Sequence, residues 1–468
     1  MSRILFHNCA YLVTKPTPEQ IIEDGGLFIE GDRIVAVGPS AEITARYGQL
    51  HDVEMVDASS KIVLPGLVDA HNHVGEAHAL LIPGWLRTPV KGIIDALERM
   101  YWPADGWLTD ESAYDLTLLG LLNMINHGVT THANASVLPD AVYRASVEAG
   151  VRAVIHPQMV TSVELHGMGE QAHLAKTEEA IHQYHNTHNG RIRVGVHPNG
   201  TFNCTRHMLV KGMELATQYD VHYAVHLAET PEEMESSNAL WATEGGIVQH
   251  LYNLGLLSPR TVLFHGTLLT EAEIDVLAET DTALVHCPPT NAWFGYCAYL
   301  PYMLKAGLRV GIGTDCPTHD LFSVMLSVLQ HHNIMPRALR GVEPAVIFEL
   351  ATLGGARALG LADTIGSLEP GKRADVVTID LRRNSSLFPL SKEVLFSILT
   401  LNGAGSVACD VMVDGLFLRR DGAFTWLDEE AILARAREWC QRFSADYQSS
   451  KHTGRPFFTR VHREFQPD

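Results

Sequence analysis

One feature limits the fold of this chain more than any other. Apolar runs of strand length, one after another, each end in a side chain able to bind a metal. In order these endings are His71 and His73 (VDAHNH), His132 (GVTTHAN), His156 (RAVIHPQ), His197 (RVGVHPN), His226 (YAVHLAE), His265 (TVLFHGT), His286 (ALVHCPP) and Asp315 (GIGTDCP). A parallel strand followed by a helix, repeated eight times, closes into a barrel with its active site at the carboxyl ends of the strands. The pattern therefore predicts an α/β chain with a (β/α)8 TIM-like barrel, and a ring of reactive groups at one mouth of it.

The stretches between the endings are long enough for a loop, a helix and the next strand. Leu116, Leu119, Leu122 and Ile125 recur at helical spacing over 113–127, and Gly128 supplies a C-terminal stop. Thr270 and Glu273 have the spacing of a capping box before the helix that joins the sixth and seventh strands. An insertion between His73 and His132 holds Trp85, Arg87, Tyr101, Trp102 and Trp107. In a barrel it overhangs the pocket, which makes its aromatics candidates for a wall or lid.

The barrel does not use the whole chain. Residues 1–63 alternate like short strands, with Gly31-Asp32 as a turn, and the same texture returns in GSLEPGKRADVVTIDL and SVACDVMVDGLFLRRDG. The simplest arrangement is a small β-sandwich domain built from both chain ends, 1–63 and 365–426, around a barrel at 64–364. A closing helix and a polar tail follow at 427–468, with Phe457, Phe458 and Phe465 set among arginines.

A formal charge of −19 argues against attraction to nucleic acid or an anionic membrane. No apolar run has the length of a membrane span, and the first residues lack the apolar centre of a signal peptide, so a cytoplasmic enzyme is expected. The seven cysteines form no CxxC pair and give no disulfide framework. A small-molecule substrate and a homo-oligomeric state are the expected partners.

Side chains alternate along a strand, so His71 and His73 face the same side. Adding His226 and Asp315 gives three imidazoles and one carboxylate, a set that holds a divalent cation and leaves a position for water. The segments LPGLVDAHNH, HLAE, FHG, GTD and GSLEPGKRADVV resemble the amidohydrolase superfamily, in particular its aminohydrolase and chlorohydrolase branch of deaminases and triazine hydrolases. Phenylurea and thiocarbamate hydrolases are the neighbouring alternative. The resemblance implies one divalent metal on His71, His73, His226 and Asp315, with Zn2+ first and Fe2+, Co2+ or Mn2+ also suited. It implies Glu229, His265 and Asp315 as the catalytic groups around the water. Two-metal members carry a bridging lysine at strand four, where this chain has His197, so a mononuclear site is expected.

His197 with Phe202 and Cys204, and His286 with Asn291, resemble substrate-holding segments of the same branch, with displaced spacing. Trp85, Trp293, Tyr296, Phe294 and Phe322 are candidates for an apolar pocket wall. Such a pocket suits an aromatic, heteroaromatic or N-alkylated compound. The expected reaction is hydrolysis of a non-peptide carbon–nitrogen bond with release of ammonia or an amine; cleavage of an acyclic urea, carbamate or thiocarbamate is the alternative. A non-catalytic structural relative is the third reading, and the complete His71, His73, His226, Glu229, His265 and Asp315 set argues against it.

Overall fold

The computed structural model describes residues 2–76, 90–241, 245–334, 341–388 and 390–453. Trp85, Arg87 and the aromatic tail residues Phe457, Phe458 and Phe465 lie outside the described residues.

The first five strands are β1 (Arg3–Val13), β2 (Ile21–Glu30), β3 (Arg33–Pro39), β4 (Val53–Asp57) and β5 (Lys61–Pro65). The barrel follows with β6 (Leu67–Asn72), β7 (Val129–Ser136), β8 (Arg152–Met159), β9 (Ile192–Val194), β10 (His197–Pro198), β11 (Tyr223–Leu227), β12 (Thr261–His265), β13 (Ala283–His286) and β14 (Arg309–Ile312). Last come β15 (Val376–Asp380), β16 (Asp410–Val413), β17 (Leu416–Arg420) and β18 (Ala423–Phe424).

Strands from both chain ends share one sheet in the order β18-β17-β16-β15-β5-β1-β2-β3, with β4 beside β1. The joint is the antiparallel pairing of β5 with β15, Ile62 opposite Ile379 and Leu64 opposite Val377. Gly31 turns β2 into β3 with a positive φ of 62°, as the Gly-Asp signal requires. Within the second β-like stretch of the sequence, a helix at Leu395–Asn402 instead packs on the barrel's helices, with Phe396 5.3 Å from Phe348 between ring centroids. Its Leu395, Phe396 and Leu399 lie at helical spacing, a period the flanking strand texture conceals.

Two parallel sheets, β6-β7-β8 with β9 and β10, and β11-β12-β13-β14, form the staves of the barrel. β9 and β10 are two short pieces of one fourth strand. Isolated bridges close the seams, Val196 with Tyr223 and Gly200 with His226 on one side, Asn72 with Asp315 on the other. At the second seam Asp315 N donates to His71 O at 3.0 Å. Gly313 makes that approach possible, because a Cβ there would stand 2.5 Å from the carbonyl oxygen of His71.

The helix Asp110–Asn126 has His127 as its C-terminal cap, and Gly128 follows with φ at 82°. Thr270 and Glu273 form the expected capping box. Trp107 leaves the barrel mouth and packs on Trp439 and Phe443 of the long closing helix Glu429–Thr453, so it is no part of a pocket wall. No helix among the described residues is long and apolar enough to cross a membrane.

Candidate active site

The carboxyl ends of β6, β11, β12 and β14 bring His71, His73, His226, His265 and Asp315 into one buried cluster. Phe264, fully buried on β12, forms its floor: the His71 ring stacks on it at 3.7 Å between centroids, and His226 stands edge-on at 5.1 Å. Two strand ends leave ordinary backbone geometry to present their side chains, with φ at 75° in His265 and 54° in Asp315. Such left-handed residues other than glycine cost energy and are held in place by the surrounding fold, which marks both positions as functional candidates.

Two of the imidazole tautomers are set by partners on the outer side of the cluster. His73 Nδ1 donates to Glu76 Oε2 at 2.9 Å, and His226 Nδ1 donates to Asn199 O at 2.8 Å. Each of these rings therefore turns an Nε2 lone pair inward. The Nε2 atoms of His71 and His226 are 3.2 Å apart, and Asp315 Oδ1 lies 3.8 Å and 3.6 Å from Nε2 of His71 and His73. A tetrahedral cation with bonds near 2.05 Å separates its ligands by about 3.3 Å. These three separations lie within about half an ångström of that value, as a site for one such ion requires. Burial, followed by the neighbouring histidines, pulls the His71 and His226 pKa well below the ordinary imidazole value, so both present the neutral form a metal requires.

Glu229 joins the same cluster, with Oε2 3.7 Å from Nε2 of His265 and one carboxylate oxygen within 4.8 Å of Asp315. Its loop is clamped from two directions. Glu233 accepts from the backbone N–H of Glu229 at 2.8 Å and of Ala228 at 3.3 Å, while Thr267 Oγ1 donates to the carbonyls of both residues. Glu233, one of a run of acidic residues that reads as a solvated loop, is buried. Burial first, then the charges of Asp315 and Glu233, lift the Glu229 pKa well above the usual carboxylate range. His265 is oriented by Asn291, whose Oδ1 accepts from Nδ1 at 2.9 Å.

The remaining sequence candidates are placed differently. Asn291 serves His265 and His286 through its two amide ends and does not line the cavity. His197 is buried beneath the site, its Nδ1 donating to Ala224 O at 2.9 Å. His132 turns outward to Ser146 on the helix Pro139–Ala149. Phe322 is corrected from pocket wall to core, where it fits against the space left by Gly403. Trp293, at the end of the short helix Pro288–Trp293, is 41% exposed and is not among the described residues that line the cavity. Its neighbour Phe294 packs instead on the cluster that holds Tyr101 and Phe202.

Ile93, Leu97, Tyr101, Phe202, Gln158 and Asn199 form the walls actually present around Glu229, His265 and Asp315. Gln158 and Asn199 went unnoticed in the sequence because isolated amides beyond strand ends carry no spacing signal. Glu76 had one, the His-x-x-Glu step of HNHVGE.

Comparison with known proteins identifies the family to which the chain belongs. The Amidohydrolase family model matches residues 62–417, and an Imidazolonepropionase-like composite domain of bacteria matches 25–49. The chain belongs to the amidohydrolase family. It is 31% identical to a 5-methylthioadenosine/S-adenosylhomocysteine deaminase of Symbiobacterium thermophilum, across 90% of this chain and 95% of the relative. It is 32% identical to a 5'-deoxyadenosine deaminase of Methanothermobacter thermautotrophicus, across 92% and 97% of the two chains. An adenosine deaminase from Xanthomonas campestris with bound zinc superposes with a TM-score of 0.84 at 25% identity, covering 95% of this chain and 99% of that one.

Proposed function

We propose that this protein is a zinc-dependent aminohydrolase that releases ammonia or an amine from a small heteroaromatic compound, with one ion held by His71, His73, His226 and Asp315. A divalent cation at those groups lowers the pKa of water toward neutrality and so supplies the nucleophile. The protein's own groups handle the protons. Asp315 accepts the proton of the attacking water, being the one carboxylate among the inward-facing imidazoles. His265, its Nδ1 proton held on Asn291, offers Nε2 as a hydrogen-bond acceptor to the same water.

Glu229, its pKa lifted well above the usual carboxylate range by burial, is the acid that gives a proton to the leaving nitrogen, the task a poor leaving group requires. The observation that carries the reading is the convergence of Glu229, His265 and Asp315, one ligand atom of each within 4.8 Å of the other two, with the surroundings pushing the Glu229 pKa up and the Asp315 pKa down. The apolar wall of Ile93, Leu97, Tyr101 and Phe202 suits the flat face of a ring, and the amides of Gln158 and Asn199 suit its polar edge. The names of the deaminase relatives point to ring amines.

The test is product analysis on zinc-loaded protein offered aminopurine nucleosides, other ring amines, N-aryl ureas and thiocarbamates. Ammonia or an amine together with the ring-hydroxylated product supports the reading. An aniline or secondary amine released with carbon dioxide from the ureas, and no reaction with ring amines, replaces it with acyclic cleavage.

A further inference from the structure

A second group of metal-binding side chains sits at the other end of the Asn291 amide. His286 ends β13, Cys297 lies in the loop after the helix Pro288–Trp293, and His332 belongs to the last turn of the helix Leu321–Ile334. One ligand atom from each lies within 4.8 Å of the other two. Cys297 Sγ is 3.9 Å from His332 Nε2, and the two imidazole rings are 5.9 Å apart between centroids. Both histidines are buried, and His286 Nε2, the nitrogen turned away from Asn291, has no hydrogen-bond partner. Leaving such atoms unpaired is costly, and two imidazoles with a thiol form a donor set for zinc, cobalt or copper.

We propose that His286, Cys297 and His332 form a second binding site for a borderline-soft divalent cation, distinct from the site at His71. A tetrahedral ion with one sulfur and one nitrogen ligand separates them by roughly 3.5 Å, close to the spacing already present. Burial favours the neutral imidazoles that ligation needs, holding His332 at about 4 and His286 well below its ordinary value. It also pushes the Cys297 thiol up to about 11, so binding releases a proton from the sulfur.

The site is wired to the catalytic one. His286 Nδ1 now faces Asn291 Nδ2 at 3.2 Å, an arrangement that places the His286 proton on Nε2. Ligation through Nε2 requires that proton on Nδ1. A half-turn of the Asn291 amide provides it: Oδ1 then accepts from His286, and Nδ2 donates to His265. His265 must in turn carry its proton on Nε2, and it loses the free electron pair there. The coupling rests on the role proposed for His265, whereas the metal site does not.

Protein carrying one zinc per chain is titrated with Co2+ and followed by the thiolate-to-cobalt charge-transfer absorption in the near ultraviolet. One further equivalent should bind and produce the band. Cys297→Ser should abolish the band and His332→Gln the added equivalent, each keeping its first zinc. Absence of a second equivalent overturns the site, as does a band that survives Cys297→Ser, which would put the thiolate at Cys316. In the wild type, turnover should fall by about 10²-fold as the band grows, the scale at which losing one oriented hydrogen bond at the reacting group acts. Undiminished turnover with the band intact overturns the coupling alone.

Discussion

Glu76 grips His73 from behind: its Oε2 accepts from Nδ1 at 2.9 Å, while Oε1 accepts from the backbone N–H of Val137 at 3.3 Å. The carboxylate is buried and spans β6 and the end of β7, so the ring it orients is fixed to two staves of the barrel. Outer carboxylates of this kind set the tautomer of a ligating histidine and raise its basicity.

Glu76→Gln should therefore weaken zinc retention by about 10- to 100-fold, with the fold intact. Equilibrium dialysis against a competing chelator measures this directly. Retention equal to wild type would show that His73 does not depend on Glu76 for its orientation.

Arg152 ties the base of the barrel to the terminal sheet. From the start of β8 it makes a two-pronged contact with Asp375 at 3.0 Å on both arms, and its Nη2 donates to Asp414 at 2.6 Å. All three side chains are nearly inaccessible to solvent. Arg152→Leu leaves buried Asp375 without its cation and Asp414 with the more distant Arg373 at 3.7 Å, and should cost about 3–5 kcal/mol. The denaturant midpoint should fall accordingly, and zinc content of the folded fraction should not change. A shift of a few tenths of a kcal/mol would mean that the carboxylates find protons or water at little cost.

The fold was legible where residue chemistry recurs with a period. Polar endings on apolar strands marked the eight staves, and alternation at both termini marked the shared sheet, because each pattern repeats along the chain. His71, His73, His226, His265 and Asp315 stood among the strand endings together with His132, His156, His197 and His286, and the family resemblance singled out His265 as a catalytic group. What stayed hidden depends on contacts between distant segments. Phe322 and Trp293 are aromatic in the same way, yet one fills the core and the other meets solvent, and only packing separates them. Glu233 stands in the acidic run of Glu232, Glu233 and Glu235, and nothing in that run tells that its carboxyl folds back onto the N–H groups of Ala228 and Glu229. Asn291 was recognised, but its part in joining two histidines needed their positions in space.

The helix Glu271–Glu279 begins with a reciprocal cap in which Thr270 Oγ1 accepts from Glu273 N at 3.3 Å and Glu273 Oε2 accepts from Thr270 N at 2.9 Å. Thr270→Ala removes one half of it and should lower stability by about 1 kcal/mol, without effect on turnover. Chemical denaturation tests the first part and steady-state kinetics the second. Because the cap is solvent-exposed, a loss above about 2 kcal/mol would require a contact beyond the cap itself.

Asp315 and Glu229 are both buried carboxyls around one cavity, and the assigned roles demand opposite behaviour when each is changed. Asp315 has its pKa held below the ordinary value: burial opposes ionisation, but His265 and His73 outweigh it. Glu229 is driven the other way by burial and by Asp315 itself. Pairs of acids whose surroundings push them apart divide the work of base and acid. Asp315→Asn should strip both zinc and turnover. Glu229→Gln should keep zinc while slowing turnover by about 10²- to 10⁴-fold, most for substrates with the most basic leaving group. Metal analysis beside a leaving-group series separates the two. Should Glu229→Gln lose its zinc, the carboxyl is a ligand; should it slow all leaving groups equally, the proton reaching the departing nitrogen comes from elsewhere.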